Sequence, residues 1–169
     1  MSRPVVRAWA LAGAVCALVL AADQAAKAAV EAHVVVGEDI KVIGPVELTL
    51  SHNTGVAFGL AGGAGVKLVL VTALALGVIG YLFARNPLRP GMWVAVGLLA
   101  GGALGNLVDR LRHDAVTDFI AVGSWPPFNL ADVSITLGVV LLVFLYMRDA
   151  EREERAEREG DTAAEDNGA

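Results

Sequence analysis

FNLADVSITLGVVLLVFLYM, residues 128–147, decides the fold of this chain. After Asp132 the stretch carries no charged residue, so it is about as long as the ~20 apolar residues that an α-helix needs to cross ~30 Å of hydrocarbon. A carboxylate beside hydrocarbon is costly, and it is usually neutralised, paired or functional. Asp118 lies a short way upstream, in VTDFI, residues 116–120. These two aspartates are therefore the leading candidates for a reaction centre.

The composition indicates a membrane protein. Of the residues, 56% are hydrophobic and 18% are charged, and the mean hydropathy is +0.60, which is outside the usual balance of a soluble globular domain. Three further apolar segments approach spanning length, the first of them only if residues 23–30 continue its helix. We therefore predict an all-α polytopic membrane protein. Its transmembrane helices are expected over about residues 8–29, 66–84, 92–109 and 130–148.

The charges divide the chain into two parts. The stretch from Arg148 onward holds four arginines and nine acids, which accounts for the whole net charge of −5. The rest is balanced, so no basic nucleic-acid face is indicated. We predict one membrane-embedded domain over residues 1–150 and a charged cytoplasmic tail over residues 151–169. The tail should begin as a helix with opposite charges near i,i+4 spacing and should fray from Asp161 onward.

Basic residues near the ends of the spans predict the orientation, because cytoplasmic loops are enriched in Lys and Arg. On the side that holds both termini these residues are Arg3, Arg7, Arg85, Arg89 and Arg148. That side should be cytoplasmic, although Lys41, Arg110 and Arg112 make the asymmetry moderate. The connections 31–65 and 109–128 then emerge together on the extracytoplasmic face.

The connection over residues 31–65 is too long for a simple turn. It contains VELTL, residues 46–50, whose apolar and polar residues alternate with a period of two, and it is preceded by IKVI, residues 40–43. Gly44 and Pro45 separate the two segments. This pattern predicts a small β-rich platform on the membrane surface.

Polar residues at the outer end of the first span allow two interpretations. Asp23 and Lys27 are four residues apart, so they share one face of the helix. They could form a helix-end ion pair with Lys27 extended to the interface, or they could belong to a functional site.

The third span combines glycines with a polar end. Gly101 and Gly105 form a small-xxx-small pair that permits close helix packing. Asn106 then lies three residues before Asp109 and four before Arg110, which gives one polar ridge. Arg110 could anchor the helix at the interface or bind oxygens of a substrate or a lipid headgroup.

At the start of the fourth span, Asn129 can cap the helix and Asp132 then occupies its third position, where negative charge is favoured. Capping alone could explain this pair, but it explains neither Asp118 nor Asn53. If the two aspartates meet, they should share one proton, because close carboxylates resist double ionisation. That arrangement suits general acid and base activation of water.

Five polar motifs, taken in order, closely resemble the prolipoprotein signal peptidase family, also called signal peptidase II. The motifs are Asp23-Gln24-x-x-Lys27, Asn53-Thr54-Gly55-Val56-Ala57-Phe58, Gly105-Asn106-x-x-Asp109-Arg110, Val116-x-Asp118-Phe119 and Phe128-Asn129-x-Ala131-Asp132. Their agreement in order, spacing and membrane position makes the resemblance specific. Val56 departs from it, because a small residue is expected there.

The resemblance implies an aspartyl endopeptidase of the bacterial inner membrane. It would cleave the signal peptide from diacylglyceryl-modified prolipoproteins immediately before the lipidated cysteine, without a metal or other cofactor. The implied fold is a four-helix membrane bundle with a small β-cradle and a surface helix outside, and the cyclic peptide antibiotic globomycin is an implied inhibitor. The catalytic dyad falls on Asp118 and Asp132. The supporting residues fall on Asp23, Asn53, Asn106, Arg110 and Asn129, with Ala131 lining the site.

The main alternative function is a small membrane transporter or proton-conducting protein, because intramembrane acids also mark ion pathways. Clustering of the polar residues at one face argues against it, since conduction needs polar groups across the whole bilayer. Among other protease chemistries, His33, His52 and His113 form no His-Glu-x-x-His zinc motif.

Overall fold

The computed structural model describes residues 1–55 and 64–166, and its main elements there are four helices. Each contains a segment that is long and apolar enough to cross a membrane, as the sequence predicts. The first helix does continue through residues 23–30. The helices are α1 (Arg3–His33), α2 (Ala64–Arg85), α3 (Met92–His113) and α4 (Leu130–Asp166).

Small residues let α3 pack closely against both α1 and α4. A Cβ atom on Gly101 would lie 2.7 Å from the Cβ of Val19 on α1, and one on Gly105 would lie 2.6 Å from Oδ2 of Asp23. A Cβ on Gly102 would collide with the backbone of Ala131 on α4. The close helix packing predicted from the glycine spacing is therefore confirmed, and α3 lies between two neighbours.

A four-stranded antiparallel sheet in the order β1-β2-β3-β4 lies at one end of the bundle. Its first hairpin comes from the α1–α2 connection, where the sequence predicts a platform, and its second hairpin comes from the α3–α4 connection, where we predicted no strand. The strands are β1 (Ile40–Ile43), β2 (Val46–Asn53), β3 (Val116–Val122) and β4 (Trp125–Phe128).

The implied surface helix is not found in the described part of the chain, which has no helix besides the four spans. Between described elements the chain turns within residues 34–39, 44–45, 86–91, 114–115 and 123–124, and these connections are too short for another helix of ordinary length.

The sheet is fixed to the bundle by an apolar cluster. Val30 and Val34, at the end of α1, pack with Leu50 of β2 and Phe119 of β3. Pairing of β2 with β3 sets Ser51 opposite Asp118. Asp118 is therefore held on a central strand close to the ends of the helices.

The other end of the bundle has its own apolar cluster, in which Phe83 and Met92 are fully buried. Beyond this end α4 continues through Asp166, which includes the first part of the predicted tail. Residues 167–169 of that tail lie outside the described residues.

Candidate active site

Asp118 on β3 and Asp132 in the first turn of α4 are joined through Asn129. The side-chain amide of Asn129 donates to Oδ1 of Asp118 over 2.6 Å. Oδ1 of Asn129 accepts from the backbone N–H of Asp132 at 3.0 Å, and Oδ2 of Asp132 accepts from the backbone N–H of Asn129 at 3.2 Å. Asn129 therefore caps α4, as predicted, and it also links the two aspartates.

Asn106 on α3 forms the second link. Its Nδ2 donates to Oδ1 of Asp132 at 2.8 Å. Its Oδ1 accepts from Nδ2 of Asn129 at 3.2 Å and from Nζ of Lys27 at 3.1 Å. Because the oxygen faces two donors, the amide orientation is fixed, and Asn106 presents an N–H group to Asp132.

Asn53, at the end of β2, binds Oδ2 of Asp118, whereas Asn129 binds Oδ1. Nδ2 of Asn53 donates to Oδ2 of Asp118 at 3.1 Å, and its Oδ1 accepts from the backbone N–H of Gly55 at 2.9 Å. Gly55 has a φ of +73°, which a glycine adopts without steric cost. Val56, the departure from the family pattern, lies outside the described residues.

Burial raises the pKa of Asp118 from its ordinary value of 3.8 to about 6. The hydrogen bonds from Asn53 and Asn129 and the charge of Lys27 oppose this rise in pKa, while the nearby charge of Asp132 adds to it. Asp118 is 3% exposed, so loss of hydration of the carboxylate is the dominant cause. Asp118 therefore retains a proton to a higher pH than an ordinary aspartate does.

An ionic cluster adjoins these residues and is linked to them by the hydrogen bond from Lys27 to Asn106. Nζ of Lys27 is 2.8 Å from Oδ2 of Asp23 and 2.7 Å from Oδ2 of Asp109, and the lysine side chain is only 4% exposed. Our interpretation of Lys27 as extended to the interface is therefore wrong. The two carboxylates hold the ammonium group between α1 and α3, which satisfies a charge that would be costly if it were unpaired.

Asp109 receives further hydrogen bonds that sequence reasoning missed. Oδ1 accepts from Nε2 of Gln24 at 2.8 Å, and Oδ2 accepts from the backbone N–H of Thr117 at 3.3 Å. Gln24 and Asp109 both belong to the polar motifs, but they lie on α1 and α3, and spacing along the chain does not indicate contacts between two helices. The contribution of Thr117 comes from its backbone, which leaves no signal in the residue type.

Ala131 is placed differently from the prediction. It is fully buried, it packs against the glycines of α3, and its backbone N–H donates to Oδ1 of Asp23 at 2.9 Å. It does not line the groove described below. Ala131 therefore supports the site from behind.

A groove of about 880 Å³ lies between α2, α3 and α4 and ends at this polar cluster. Its polar lining includes Asn53, Asn106, half-buried Arg110 and Asp132. Nη1 of Arg110 donates to the backbone oxygen of Asn106 at 3.3 Å. The remaining lining is almost wholly apolar, and residues of α2 such as Leu74 are largely exposed. The arrangement suits an apolar chain that brings one polar bond to Asp132.

Asp132 also lines a second, smaller groove of about 330 Å³. This groove lies between the β4 strand and α4 and is bordered by Trp125, Phe128, Val133 and Leu137. Asp132 is therefore accessible from two sides.

Within residues 1–55 and 64–166, no group of three His, Cys, Asp or Glu side chains is arranged to hold a metal ion.

Comparisons with known proteins place the chain in one family. The profile of the family described as signal peptidase (SPase) II matches residues 15–148. Lipoprotein signal peptidase of Pelotomaculum thermopropionicum is 42% identical over 146 residues, which cover 85% of this chain and 96% of that protein. The protein of the same name from Moorella thermoacetica is 44% identical over 131 residues, which cover 74% of this chain and 85% of that protein. A bacterial membrane enzyme solved at 1.9 Å resolution superposes with a TM-score of 0.77 at 31% identity, covering 82% of this chain and 93% of the solved one. The chain belongs to the signal peptidase II family.

Proposed function

We propose that this signal peptidase II is an aspartyl endopeptidase whose catalytic dyad is Asp118 and Asp132. The observation that carries the proposal is the double role of Asn129, which caps α4 next to Asp132 and donates to Asp118. Family membership makes the chain a protease, and the dyad supplies an acid and a base for hydrolysis.

In the proposed mechanism Asp118 is protonated and Asp132 is ionised. The raised pKa of Asp118 supports the first assignment. Asp132, at the start of α4, accepts hydrogen bonds from the side chain of Asn106 and the backbone N–H of Asn129, and it lines the groove, which suits it to the role of base. Asp118 gives its proton to the oxygen of the scissile carbonyl, and Asp132 takes a proton from a water molecule that attacks the carbonyl carbon. The C–N bond then breaks as that proton passes to the departing nitrogen, and Asp118 regains its own proton.

The remaining polar residues position these groups. Asn106 and Asn129 fix the carboxylates relative to each other, and Asn53 holds Oδ2 of Asp118. Arg110 faces the groove, where its guanidinium can bind carbonyl oxygens of the substrate backbone. Such positioning matters because alignment of reacting groups contributes a large part of enzymatic rate enhancement.

The substrate that we propose is a diacylglyceryl-modified bacterial prolipoprotein, cut immediately before its lipidated cysteine. Relatives at about 40% identity that are named lipoprotein signal peptidase support a lipoprotein substrate. The apolar groove of about 880 Å³ suits a signal segment in the bilayer, and the smaller groove on the other side of Asp132 suits acyl chains of the modified cysteine. Globomycin, the cyclic peptide that the resemblance implies as an inhibitor, should compete for the larger groove.

We further propose that the sheet and the dyad face outward from the inner membrane, with both termini in the cytoplasm. The five arginines near the opposite end of the bundle support this orientation. Lys41→Cys on β1 and Asn86→Cys in the α2–α3 turn would test it with a membrane-impermeant maleimide. The first variant should be labelled on intact cells and the second only after permeabilisation, and the reverse pattern would overturn the orientation.

The transporter alternative has no support from the family comparison. The polar lining of the larger groove is concentrated at its sheet end, and most of the groove is apolar. A proton path across the bilayer needs polar groups along its whole length.

The deciding experiment uses purified protein and two precursors that differ only in the diacylglyceryl group. The modified precursor should give a released signal fragment and a mature product that begins with the lipidated cysteine, as identified by mass spectrometry. Equal cleavage of the unmodified precursor would contradict the proposed substrate. Cleavage at another bond would contradict the proposed position of the dyad.

A further inference from the structure

A cavity of about 770 Å³ lies at the end of the bundle opposite the dyad. It is enclosed by the start of α1, the turn between α2 and α3, and the part of α4 near Tyr146. Val5 and Pro87 form its apolar wall, and Arg85 and Arg89 also line it. None of these residues takes part in the proposed mechanism.

The cavity has an excess of positive charge. Nη2 of Arg89 lies 2.8 Å from Oδ2 of Asp149, and the guanidinium is stacked 4.0 Å from the ring centroid of Tyr146. Nε of Arg148 is 3.6 Å from Oδ1 of the same aspartate. The Asp149 carboxylate is therefore shared by Arg89 and Arg148.

Arg85 adds a further positive charge to the cavity. It donates to the hydroxyl of Tyr81 at 3.0 Å, and within the described part of the chain no carboxylate lies at ion-pair distance from it. It is exposed to solvent and lines the cavity together with Asn86. Its guanidinium therefore has N–H donors left for an anion.

A second cavity, of about 630 Å³, adjoins the first. The two share Val5 and Pro87, and the second is otherwise lined by Met1, Val6, Trp9 and Ala84. None of these described lining residues has a charged side chain. A basic cavity therefore continues directly into an apolar one, and Trp9 is of a type enriched where membrane meets water.

We propose that the two cavities together form a binding site for one anionic phospholipid. The phosphate group lies between Arg85 and Arg89, and an acyl chain follows Val6 and Trp9. Arginine is suited to phosphate because its planar guanidinium donates two parallel hydrogen bonds to phosphate oxygens. Free phosphate offers the same headgroup chemistry, but the adjoining apolar cavity favours a lipid.

The position of this site suggests a structural role. A lipid that contacts α1 and the α2–α3 turn at once would bind the folded bundle and would have no comparable site in the unfolded chain. It would therefore stabilise the bundle by mass action. Because the site is remote from the dyad, its occupancy should change stability without changing the chemistry of cleavage.

The test measures phospholipid binding to the purified full chain in detergent by native mass spectrometry. The probes are phosphatidylglycerol, zwitterionic phosphatidylcholine and inorganic phosphate. Arg85→Gln removes one cavity charge, and Arg7→Gln is the matched control, because Arg7 is an exposed arginine at the same end that lines neither cavity. Val6→Ser tests the apolar part.

One phosphatidylglycerol should bind the wild type more tightly than phosphatidylcholine does. Arg85→Gln should weaken this binding by about fivefold, as expected for one basic residue near an anionic lipid, and Arg7→Gln should leave it unchanged. Val6→Ser should weaken binding of the lipid but not of inorganic phosphate. Equal losses in the two arginine variants, equal binding of the two lipids, or equally tight binding of inorganic phosphate would overturn the proposal. Cleavage activity in detergent plays no part in these readouts, so they stand apart from the proposed function.

Discussion

Two pairs of aspartates lie at the same end of the bundle, and they have opposite environments. Asp23 and Asp109 are buried on either side of Lys27, at 2.8 and 2.7 Å. Asp118 and Asp132 are joined through neutral asparagine side chains, and Asp132 lines a groove. The first pair has a cation in direct contact, whereas the charges of Lys27 and Arg110 act on the second pair from farther away.

The difference shows why an acid within a membrane protein does not by itself identify a catalytic group. An ammonium group between two carboxylates offsets their charge and fixes α1 against α3. Neutral amides orient the other two carboxylates without supplying a compensating charge. Burial can then raise the pKa of Asp118 to about 6, so that the second pair can hold a proton in the range where it is useful.

The strongest test of this comparison removes one carboxylate from the dyad. Asp118→Asn and Asp132→Asn should each lower kcat/KM on lipid-modified precursor by on the order of 10³-fold, because each loses an acid or base function. Asp114→Asn is the matched control, since Asp114 is an exposed aspartate in a left-handed conformation that asparagine tolerates. Normal processing by either folded dyad variant would rule out the assignment.

Removing the charge of Lys27 should lower the stability of the protein, because Lys27 bridges Asp23 and Asp109. Lys27→Met leaves Asp23 and Asp109 buried without their shared counter-ion, and it should lower the free energy of unfolding by about 3 kcal/mol. Unfolding in mixed detergent micelles, followed by circular dichroism, would measure the change. The triple variant Asp23→Asn, Lys27→Met, Asp109→Asn should recover part of this loss, because no unpaired charge remains. If Lys27→Met unfolds like the wild type, the ionic cluster is not structural.

A substitution that disturbs the close packing beside Asp23 should lower the free energy of unfolding by a smaller amount. The Cβ added by Gly105→Ala would lie 2.6 Å from Oδ2 of Asp23, so the variant should be destabilised by about 1–3 kcal/mol. Gly77→Ala on α2 is the matched control, because its Cβ would meet nothing within 4 Å. That variant should be as stable as the wild type or more stable by up to about 1 kcal/mol. Equal unfolding curves for both variants would contradict close packing at Gly105.

The smallest expected effect concerns pH. Because the mechanism needs a proton on Asp118, kcat/KM should fall as the pH rises through its pKa of about 6 in the free enzyme. Asn53→Ala removes a hydrogen bond that favours the ionised form, so the pKa should rise and the fall in kcat/KM should move to higher pH. The pH profiles of both proteins measure this shift, and a shift to lower pH would contradict the role of Asn53.

The raised pKa of Asp118 also makes the stability of the folded protein depend on pH. The folded state binds this proton more strongly than the unfolded state, whose pKa is near 3.8. The contribution of Asp118 to stability is therefore complete below that value, and it is lost as the pH rises through about 6.

Much of the site could be predicted because its signals are local. The capping role of Asn129 follows from its place just before an apolar run, and the close packing at Gly101 follows from helical spacing. The environment of Lys27 could not be predicted, because a lysine near a helix end can extend to the interface or turn inward. Only the position of Asp109, on another helix, decides between these two.

The strand β3 was missed for a related reason. Val116 to Phe119 are all buried, so the strand has no alternation of exposed and buried residues by which a surface strand is found. Its partner strand β2 is more than sixty residues away in the sequence. The sequence likewise does not indicate whether Ala131 lines a groove or is buried behind one.

The sequence by itself determined that the chain spans a membrane with four helices and which aspartates belong to the polar motifs. These properties depend on segment length, hydropathy and short spacings, which are the same wherever the segment is placed. The tertiary structure decided which aspartates have a cation between them and that Asp132 lines a groove. Those properties depend on contacts between α1, α3, β3 and α4, because a carboxylate's charge is set by the groups around it in space.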